Sequence, residues 1–341
     1  MCCQHFKTHL ICEVWDVQTF IIILNWNGWK DTRECVKSIL LNDNENYQII
    51  IVDNKSTDDS VSQLKHFIMN EIEGVSIEEY IADSERNFKR INHENSPNKK
   101  SIVFIQSYKN LGYAGGNNLG LLFASKSNMN SAKLILNNDT TVNSDFISNV
   151  EQTISKNIQI SLLGFPALDY NNHQSVEVYY VKDRQLWGVQ KVTELDGKKD
   201  QHLIECESLG GHAMLITPLS PEQFLPEEFF LYCEESEFCQ RVNKKGGKIY
   251  LSLETPVFHK HSGTVGLNSP LQVYYYNRNI LYYMRANRQW YVFLLFYLLK
   301  LSKSCIVILK YLIKGNYIHA KALLKANIDF IAGKRGKQWV N

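Results

Sequence analysis

The sequence predicts an α/β fold, a mostly parallel sheet flanked by helices, with a helical extension at the C-terminus. Three observations predict it. Short β-branched apolar runs alternate with stretches of helical spacing through the first half of the 341 residues. Asn- and Asp-rich clusters stand where those runs end. Beyond Tyr274 the chain turns helical, aromatic and basic. Strands that alternate with helices need right-handed crossovers, and so a mostly parallel sheet.

Phe20–Leu24 is the first buried strand, followed by a helix over Asp31–Leu41 that places Cys35, Ile39 and Leu40 near one face. Tyr47–Val52 is the second strand and Asp58–Asn70 a second helix, capped by Thr57 or Asp58. Residues 76–101 are polar and read as an insertion or mobile loop. Ile102–Ile105, Gly116–Ser125 and Lys133–Leu136 then supply a third strand, a third helix and a fourth strand. The pattern loosens from about 160 to 215, with short strands such as Val176–Val181 and Ala213–Thr217. Glu234–Lys245 reads as a helix closed by Gly246-Gly247, and Lys248–Ser252 as another strand. Three parts result: an N-terminal extension over 1–18, an α/β unit over 19–284, and a basic amphipathic tail over 285–341.

Hydrophobic residues at 44% are ample for a core and exclude a disordered or collagen-like chain. The 37 Lys and Arg against 35 Asp and Glu leave +2, so no dominant charge calls for nucleic acid. That balance hides an asymmetry. From Arg285 onward there are 11 basic residues and one acid, Asp329, a net of +10, whereas the first 284 residues carry a net of −8. Eight irregularly spaced cysteines in so large a chain read as reduced thiols of a cytosolic protein. The N-terminus MCCQHFKTHLICEVWDVQ lacks the long apolar run of a signal peptide.

Asn25-Trp26-Asn27, Asp53-Asn54 and Asn137-Asn138-Asp139 follow three of the strands. Ligands of open α/β sheets bind beyond the carboxyl ends of the strands, so three such clusters argue for one site, although Asn and Asp also simply begin turns. NWNGWK after the first strand has one glycine and no GxGxxG, which disfavours a dinucleotide-binding oxidoreductase, and no GxxxxGK[ST] loop occurs. Asp53 can accept from a ribose hydroxyl or a base N–H, and Asp139 can hold a divalent cation whose other positions a ligand's phosphates fill. In NLGYAGGNN, Gly115 and Gly116 permit close backbone approach and leave free N–H groups at a helix start. Arg278, in YYYNRN, is either a partner for donor phosphate or a helix-surface cation.

Together these stretches resemble the bacterial family 2 glycosyltransferases, and within them the rhamnosyltransferase-like branch. The matching runs are IIILNWNGWKDTRECVKSIL at 21–40, IIIVDNKSTDDS at 49–60, NLGYAGGNNLGL at 110–121 and LILNNDTTV at 134–142. GGHAMLI at 210–216, FFLYCEESEFCQRVNKKGGKIY at 229–250, VFHKHSGTVG at 257–266 and YYYNRNILYYMR at 274–285 continue the series. The resemblance covers about 20 to 335. It implies a GT-A (Rossmann-like) fold and inverting sugar transfer from a nucleotide-diphosphate sugar, dTDP-rhamnose or a UDP-sugar, to a hydroxyl of a free or lipid-linked glycan precursor in cell-envelope polysaccharide biosynthesis.

The resemblance also implies roles. Asp53, with Asn25 and Asn27 near it, contacts the donor nucleoside. Asn137-Asn138-Asp139 takes the DxD position, so Asp139 ligates Mg²⁺ or Mn²⁺, Asn138 lies near the ribose and Asn137 near substrate. His259 completes the metal or diphosphate site, while His212 and His261 read as structural. Gly211 and Glu234 lie against substrate. Glu235 is the general base, although the family's Glu-Asp pair is Glu-Glu here, and the extra methylene moves the carboxylate by one C–C bond. Against catalysis stands the tendency of acids to gather at helix N-termini, and a catalytically inactive glycan- or membrane-binding relative is the rival reading.

The tail segment WYVFLLFYLLKLSKSCIVILKYLI is apolar but interrupted by Lys300, Lys303 and Lys310. At about 100° per residue these and Lys314 fall within an arc of about 80°, opposite an aliphatic and aromatic face. This predicts a helix lying in a bilayer interface rather than one crossing it, with Lys334, Arg335 and Lys337 suited to anionic lipid. The chain is therefore expected to be cytoplasmic and peripheral on the inner face of the cell membrane. The competing expectation is a helix packed with its apolar face inward and its lysines in water.

Overall fold

The computed structural model describes residues 18–339 apart from 94–99, 158, 185, 187, 196, 198–200, 261–265 and 267. Almost all of the expected N-terminal extension, and His261, lie outside the described residues.

In chain order the first elements are β1 (Thr19–Asn25), α1 (Trp29–Leu40), β2 (Tyr47–Asp53), α2 (Ser60–Asn70), β3 (Val75–Ala82), β4 (Phe88–His93) and β5 (Lys100–Ser107). Then come α3 (Gly112–Ser127), β6 (Ala132–Asn137), β7 (Thr140–Thr141), α4 (Phe146–Lys156), β8 (Ile160–Gly164) and β9 (Ala167–Asp169). The short strands β10 (Val176–Val178), β11 (Tyr180–Arg184), β12 (Gly188–Val192), β13 (Leu203–Glu205) and β14 (Ala213–Ile216) lead to α5 (Glu234–Lys244), β15 (Lys248–Ser252) and β16 (Val257–His259). The chain finishes with α6 (Pro270–Asn287), α7 (Trp290–Ile313) and α8 (Tyr317–Ile331).

The main sheet runs β13-β15-β8-β14-β6-β1-β2-β5-β3-β4 and is mostly parallel, with β4, β13 and β14 reversed. The period-2 geometry of a strand explains its apolar runs. Ile21, Ile23, Ile49 and Ile51 face one core with α1, α2 and α4, whereas Phe20, Ile22, Ile50 and Val52 face the other with α3 and α5. Strands covered on both faces have no polar side to show, so the sequence reads as unbroken hydrophobicity. On α3, Gly116 and Gly120 share one face, and the absence of side chains there lets the helix sit directly on Leu24, Ile22 and Val52.

The stretch 76–101 is not an irregular insertion over most of its length. It supplies β3, β4 and the start of β5, at the edge of the sheet. Its acids hid this because their partners are distant in sequence. Glu79 is buried in β3 beside the Lys65 ammonium of α2, and Glu78 pairs with Arg90 of β4 at 2.8 Å. The second helix begins at Ser60 with Asp59 at the N-cap, later than either cap expected from the sequence. The expected strand Val176–Val181 divides into β10 and β11, which join different sheets.

The three C-terminal helices form one body with the sheet domain. Ala322, Ala326 and Trp339 cluster with Tyr274 and Tyr275 of α6. Asp329, the tail's one acid, is buried and accepts from Tyr274 Oη at 2.7 Å and Lys325 Nζ at 2.6 Å. Helix α7 turns Phe296 and Ser304 inward, with Lys300 on the same side half-buried. Leu294, Leu298, Leu309 and Ile313 face outward. The apolar face is therefore exposed, contrary to the apolar-inward alternative. By length and composition α7 could also cross a membrane.

The close approach of α3 gives a first expectation. A Cβ at Gly120 would lie 2.5 Å from Ile22 Cγ2. Gly120→Ala is expected to destabilise the fold by about 1–3 kcal/mol through overpacking, despite alanine's better helix propensity. Urea unfolding checks this; an unchanged or raised midpoint contradicts it.

Candidate active site

The carboxyl ends of β1, β2 and β6 lie side by side, with Asn25 opposite Asp53 and Leu24 opposite Asn137. Polar groups buried at such an edge must find partners. Asn25 Nδ2 donates to Asp53 Oδ1 at 2.9 Å, and Thr32 Oγ1 donates to Asn25 Oδ1 at 2.8 Å. Asp53 also accepts from the Ser56 N–H at 3.1 Å and the Ser56 hydroxyl at 2.5 Å. Asn25 is fully buried and acts as a brace, which corrects its expected place against the nucleotide. Asp53 is likewise enclosed, while Leu24, Trp26 and Asn54 from the same strand ends line the adjoining cavity. Asn27, at φ 51°, accepts from the Thr57 N–H at 2.7 Å and ties the loops after β1 and β2 together.

Gly115 and Gly116 lie inside α3 and are buried. The expected free N–H groups at this helix start are already used. Leu111 N–H donates to Asn54 Oδ1 at 2.9 Å, Gly112 N–H to Asn110 Oδ1 at 2.9 Å and Tyr113 N–H to the Phe230 carbonyl at 2.8 Å. The two glycines serve packing, Gly116 on Leu24 and Asn54, and Gly115 beside Leu111 and Glu227. Gly112 is the residue that needs the left-handed conformation, at φ +75°, and a Cβ there would strike Phe230.

Asp139 ends the turn after β6. The β16–β7 pairing sets His259 opposite Thr140, next to it. His259 Nε2 lies 3.3 Å from Asp139 Oδ1, and its Nδ1 lies 2.7 Å from Glu177 Oε2 on the strand β10. Burial alone would lower the His259 pKa, but its hydrogen bonds to Asp139 and Glu177 outweigh this and raise it to about 9. Burial alone would raise Glu177, but His259 and then Lys191 hold it down at about 2. His212 is neutral by burial, pushed down to about 4, and its Nε2 bonds the Phe165 carbonyl at 2.7 Å. Asn138 Nδ2 donates to the Gly28 carbonyl at 3.2 Å and to Thr32 Oγ1 at 3.1 Å.

Across the cleft, the loop before α5 is strained. Phe230, Tyr232 and Cys233 have φ of 68°, 69° and 72°, a conformation that side chains disfavour. Two neighbours on α6 hold it. Asn279 Nδ2 donates to the Phe229, Leu231 and Tyr232 carbonyls at 2.8, 2.7 and 3.1 Å. Arg278 Nη2 donates to the Phe229 carbonyl at 3.1 Å, and Nη1 to that of Gly336 at 2.9 Å. Arg278 is fully buried between Tyr274 and Tyr275, so it is neither the expected phosphate partner nor a surface cation.

The loop delivers Glu234 and Glu235 at the start of α5. Glu234 is buried, and its Oε2 has no hydrogen-bond partner among the described residues. Burial, with Glu235 beside it, pushes its carboxyl well above the ordinary range. Glu235 reaches the cleft with its carboxylate against Gly211, where any Cβ would fall on it; burial raises its pKa too.

Two cavities result. One, of about 490 Å³, is bounded by Trp26, Asn54, Asn138, Asp139 and the aromatic rings of Tyr113, Phe230 and Tyr275. The other, of about 370 Å³, holds Glu235, Gly211, Glu177 and His259. Both are lined by Asn137 and Tyr232, so they meet there. Sequence reading missed Glu177, Tyr113 and Tyr232, together with Lys337 and Trp339, which reach the larger cavity from the far end of the chain. Tyr113 lay inside a quoted motif, whereas Glu177 sits in a three-residue strand with no signal of its own.

Residues 20–79 match the family model described as glycosyl transferase family 2. A curated relative, the low-salt glycan biosynthesis hexosyltransferase Agl10 of Haloferax volcanii, is 29% identical over 146 residues. That stretch is 42% of this chain and 47% of the relative, about half the relative's length. Among solved structures, GalNAc-T7 with UDP, GalNAc and Mn²⁺ superposes with a TM-score of 0.55 at 14% identity, covering 78% of this chain and 48% of that one. The likeness shows a GT-A fold for this chain.

The partly buried Glu235 has a pH consequence. A carboxyl whose folded pKa is raised binds its proton more tightly in the native state. Stability is therefore fully present below the unfolded pKa of about 4.3 and is lost as pH rises through the folded value. Glu235→Gln is expected to melt higher than wild type at about pH 8 and to match it at about pH 4. A melting curve that does not separate the two proteins at the higher pH contradicts this.

Proposed function

We propose that the protein is an inverting glycosyltransferase that moves a hexose from a UDP- or dTDP-sugar to a hydroxyl of a glycan precursor. The observation that carries this reading is the placement of Asp139–His259 and Glu235 along one continuous cleft. In an in-line displacement the leaving group and the attacking oxygen occupy opposite faces of the sugar carbon. The larger cavity suits the nucleotide, with Tyr113, Phe230 and Tyr275 as apolar walls, and the smaller suits the acceptor.

The donor set fits a divalent cation. Among the described residues no group of three or more His, Cys, Asp and Glu side chains forms a metal cage. Asp139 with His259 Nε2 offers two ligand atoms, and Glu177 on Nδ1 would orient the imidazole from behind. Two protein ligands would suit Mg²⁺ or Mn²⁺, with phosphate and water left to supply the other ligands. The chemistry such an ion supplies is Lewis-acid neutralisation of the departing diphosphate.

Glu235 does the proton work. Its carboxylate takes the acceptor hydroxyl proton as the new C–O bond forms and the bond to the diphosphate breaks. The raised pKa makes it a stronger base than an ordinary glutamate, and Gly211 leaves the space its longer side chain needs. Asn25 and Asp53 keep the loops under the nucleotide cavity in register. Residues 19–284 would act as the catalytic unit. The tail over 285–341 would seat it on the cytoplasmic face of an anionic membrane, the exposed face of α7 entering the interface while its other side stays against α6 and α8. A hexosyltransferase of glycan biosynthesis among the relatives supports this assignment.

Asp139→Asn and Glu235→Gln are each expected to lower kcat by at least about 100-fold, from loss of charge stabilisation and of the base. Purified variants assayed with Mn²⁺ and nucleotide sugars check this. Near-wild-type turnover in either variant removes its role, and full activity in EDTA removes the metal. For the membrane, Leu298→Glu, Leu309→Glu and Ile313→Glu combined are expected to abolish sedimentation with phosphatidylglycerol-containing vesicles while leaving the melting temperature unchanged, since all three side chains are more than half exposed. Undiminished sedimentation rejects the membrane reading.

A further inference from the structure

A third cavity, of about 380 Å³, lies where α6, α7 and α8 meet. Its walls are polar for so apolar a helix pair: Gln272 and Asn277 come from α6, and Lys300, Lys303 and Ser304 from α7. The two lysines stand one turn apart, and neither forms an ion pair with a carboxylate among the described residues. Lys325 and Lys334 of the same tail share Asp329. Burial, and then the charge of Lys303, disfavour the Lys300 ammonium and pull its pKa down to about 8. An anion placed between the two would relieve both effects.

Two further observations say what kind of anion. Tyr276 lines both this groove and the cavity that holds Glu235, and Lys300 Nζ lies 5.7 Å from its ring centroid. The groove therefore adjoins the acceptor side of the cleft, not the nucleotide side. Around the same helix, the opposite side of α7 carries exposed Leu294, Leu298, Leu309 and Ile313. One amphiphile can satisfy all three surfaces. Its anionic group would sit between Lys300 and Lys303, its hydroxyl-bearing end would pass Tyr276 toward Glu235, and its apolar tail would leave the groove for the bilayer that the exposed face of α7 enters.

We propose that this groove is an anion subsite that holds the phosphate or diphosphate of a lipid-linked acceptor. The inference rests on the reading of Glu235 as the base on the acceptor side. It adds that the acceptor is recognised by a charged link as well as by its sugar, and that the tail helices are part of the substrate site.

The test uses the full chain and phosphatidylcholine vesicles carrying either farnesyl diphosphate or phosphatidylglycerol at equal total charge. Wild type is expected to sediment with the farnesyl diphosphate vesicles about tenfold more tightly. Lys300→Gln with Lys303→Gln should lose that preference while keeping its binding to phosphatidylglycerol vesicles, and Lys300→Arg should retain the preference. Equal binding of wild type to both vesicles would mean a general anionic surface and overturn the subsite, as would a preference that survives in the double glutamine variant. Transfer assays with nucleotide sugar and Mn²⁺ separate the two levels. If the diphosphate preference holds but no nucleotide sugar is bound or turned over, the glycosyltransferase reading fails and the anion site stands.

Discussion

The loop Phe229–Cys233 is the constraint on which the rest of the site depends. Three of its residues hold left-handed backbone that their side chains disfavour, and it stays there because Asn279 and Arg278 of α6 bind its carbonyls. From that one fixed segment Tyr232 is set between the two cavities, Phe230 forms a wall of one, and Glu235 enters the other. The Phe230 carbonyl also receives Tyr113 N–H, which seats the start of α3 against the same loop. A buried guanidinium is costly unless its donors are filled. Here the Phe229 and Gly336 carbonyls, Asn279 Oδ1 and Tyr274 Oη accept from them, so loosening the clamp would leave buried donors unfilled.

The electrostatics of the cleft are arranged by burial on one side and by pairing on the other. Glu234 is buried and Glu235 partly so, neither pairs with a cation among the described residues, and both carboxyls rise. Glu177 is also largely buried, but His259 and Lys191 hold it ionised. Two acidic regions within one cleft thus have opposite proton affinities, a separation that acid–base chemistry uses. The disfavoured charge on the Glu235 side costs stability, as expected of a site selected for reactivity.

The near-neutral total charge is the sum of two unlike bodies that are nevertheless packed together. The tail does not hang from the α/β domain. Its Asp329 holds Tyr274, its Gly336 carbonyl receives Arg278, and its Lys337 and Trp339 reach the larger cavity. The helix α7 is strongly apolar yet largely exposed, and of its lysines Lys300 is turned partly inward while Lys303 and Lys310 stay exposed. Membrane attachment and substrate binding would therefore share residues.

The alternation of β-branched runs with helices determined the parallel sheet, because strands buried on both faces must be apolar throughout and parallel neighbours need crossovers. The same local logic placed Asp53, Asn137 and Asp139 at one sheet edge, since the end of a strand is visible in the chain. Local sequence also determined the amphipathic face of α7. It did not determine which residues at that edge would be turned to a ligand. Asn25, Gly115, Gly116 and Arg278 look like contacts in sequence, and tertiary structure spent each on bracing or packing, because buried polar groups and tight helix–strand approaches have to be satisfied first. The strands β3 and β4 were concealed because their acids are neutralised by residues far away in the chain. Glu177 beside His259, Gly211 beneath Glu235, and Lys337 and Trp339 against the larger cavity are pairings across long separations. Only the folded chain decides those, since proximity in space leaves no periodicity in sequence.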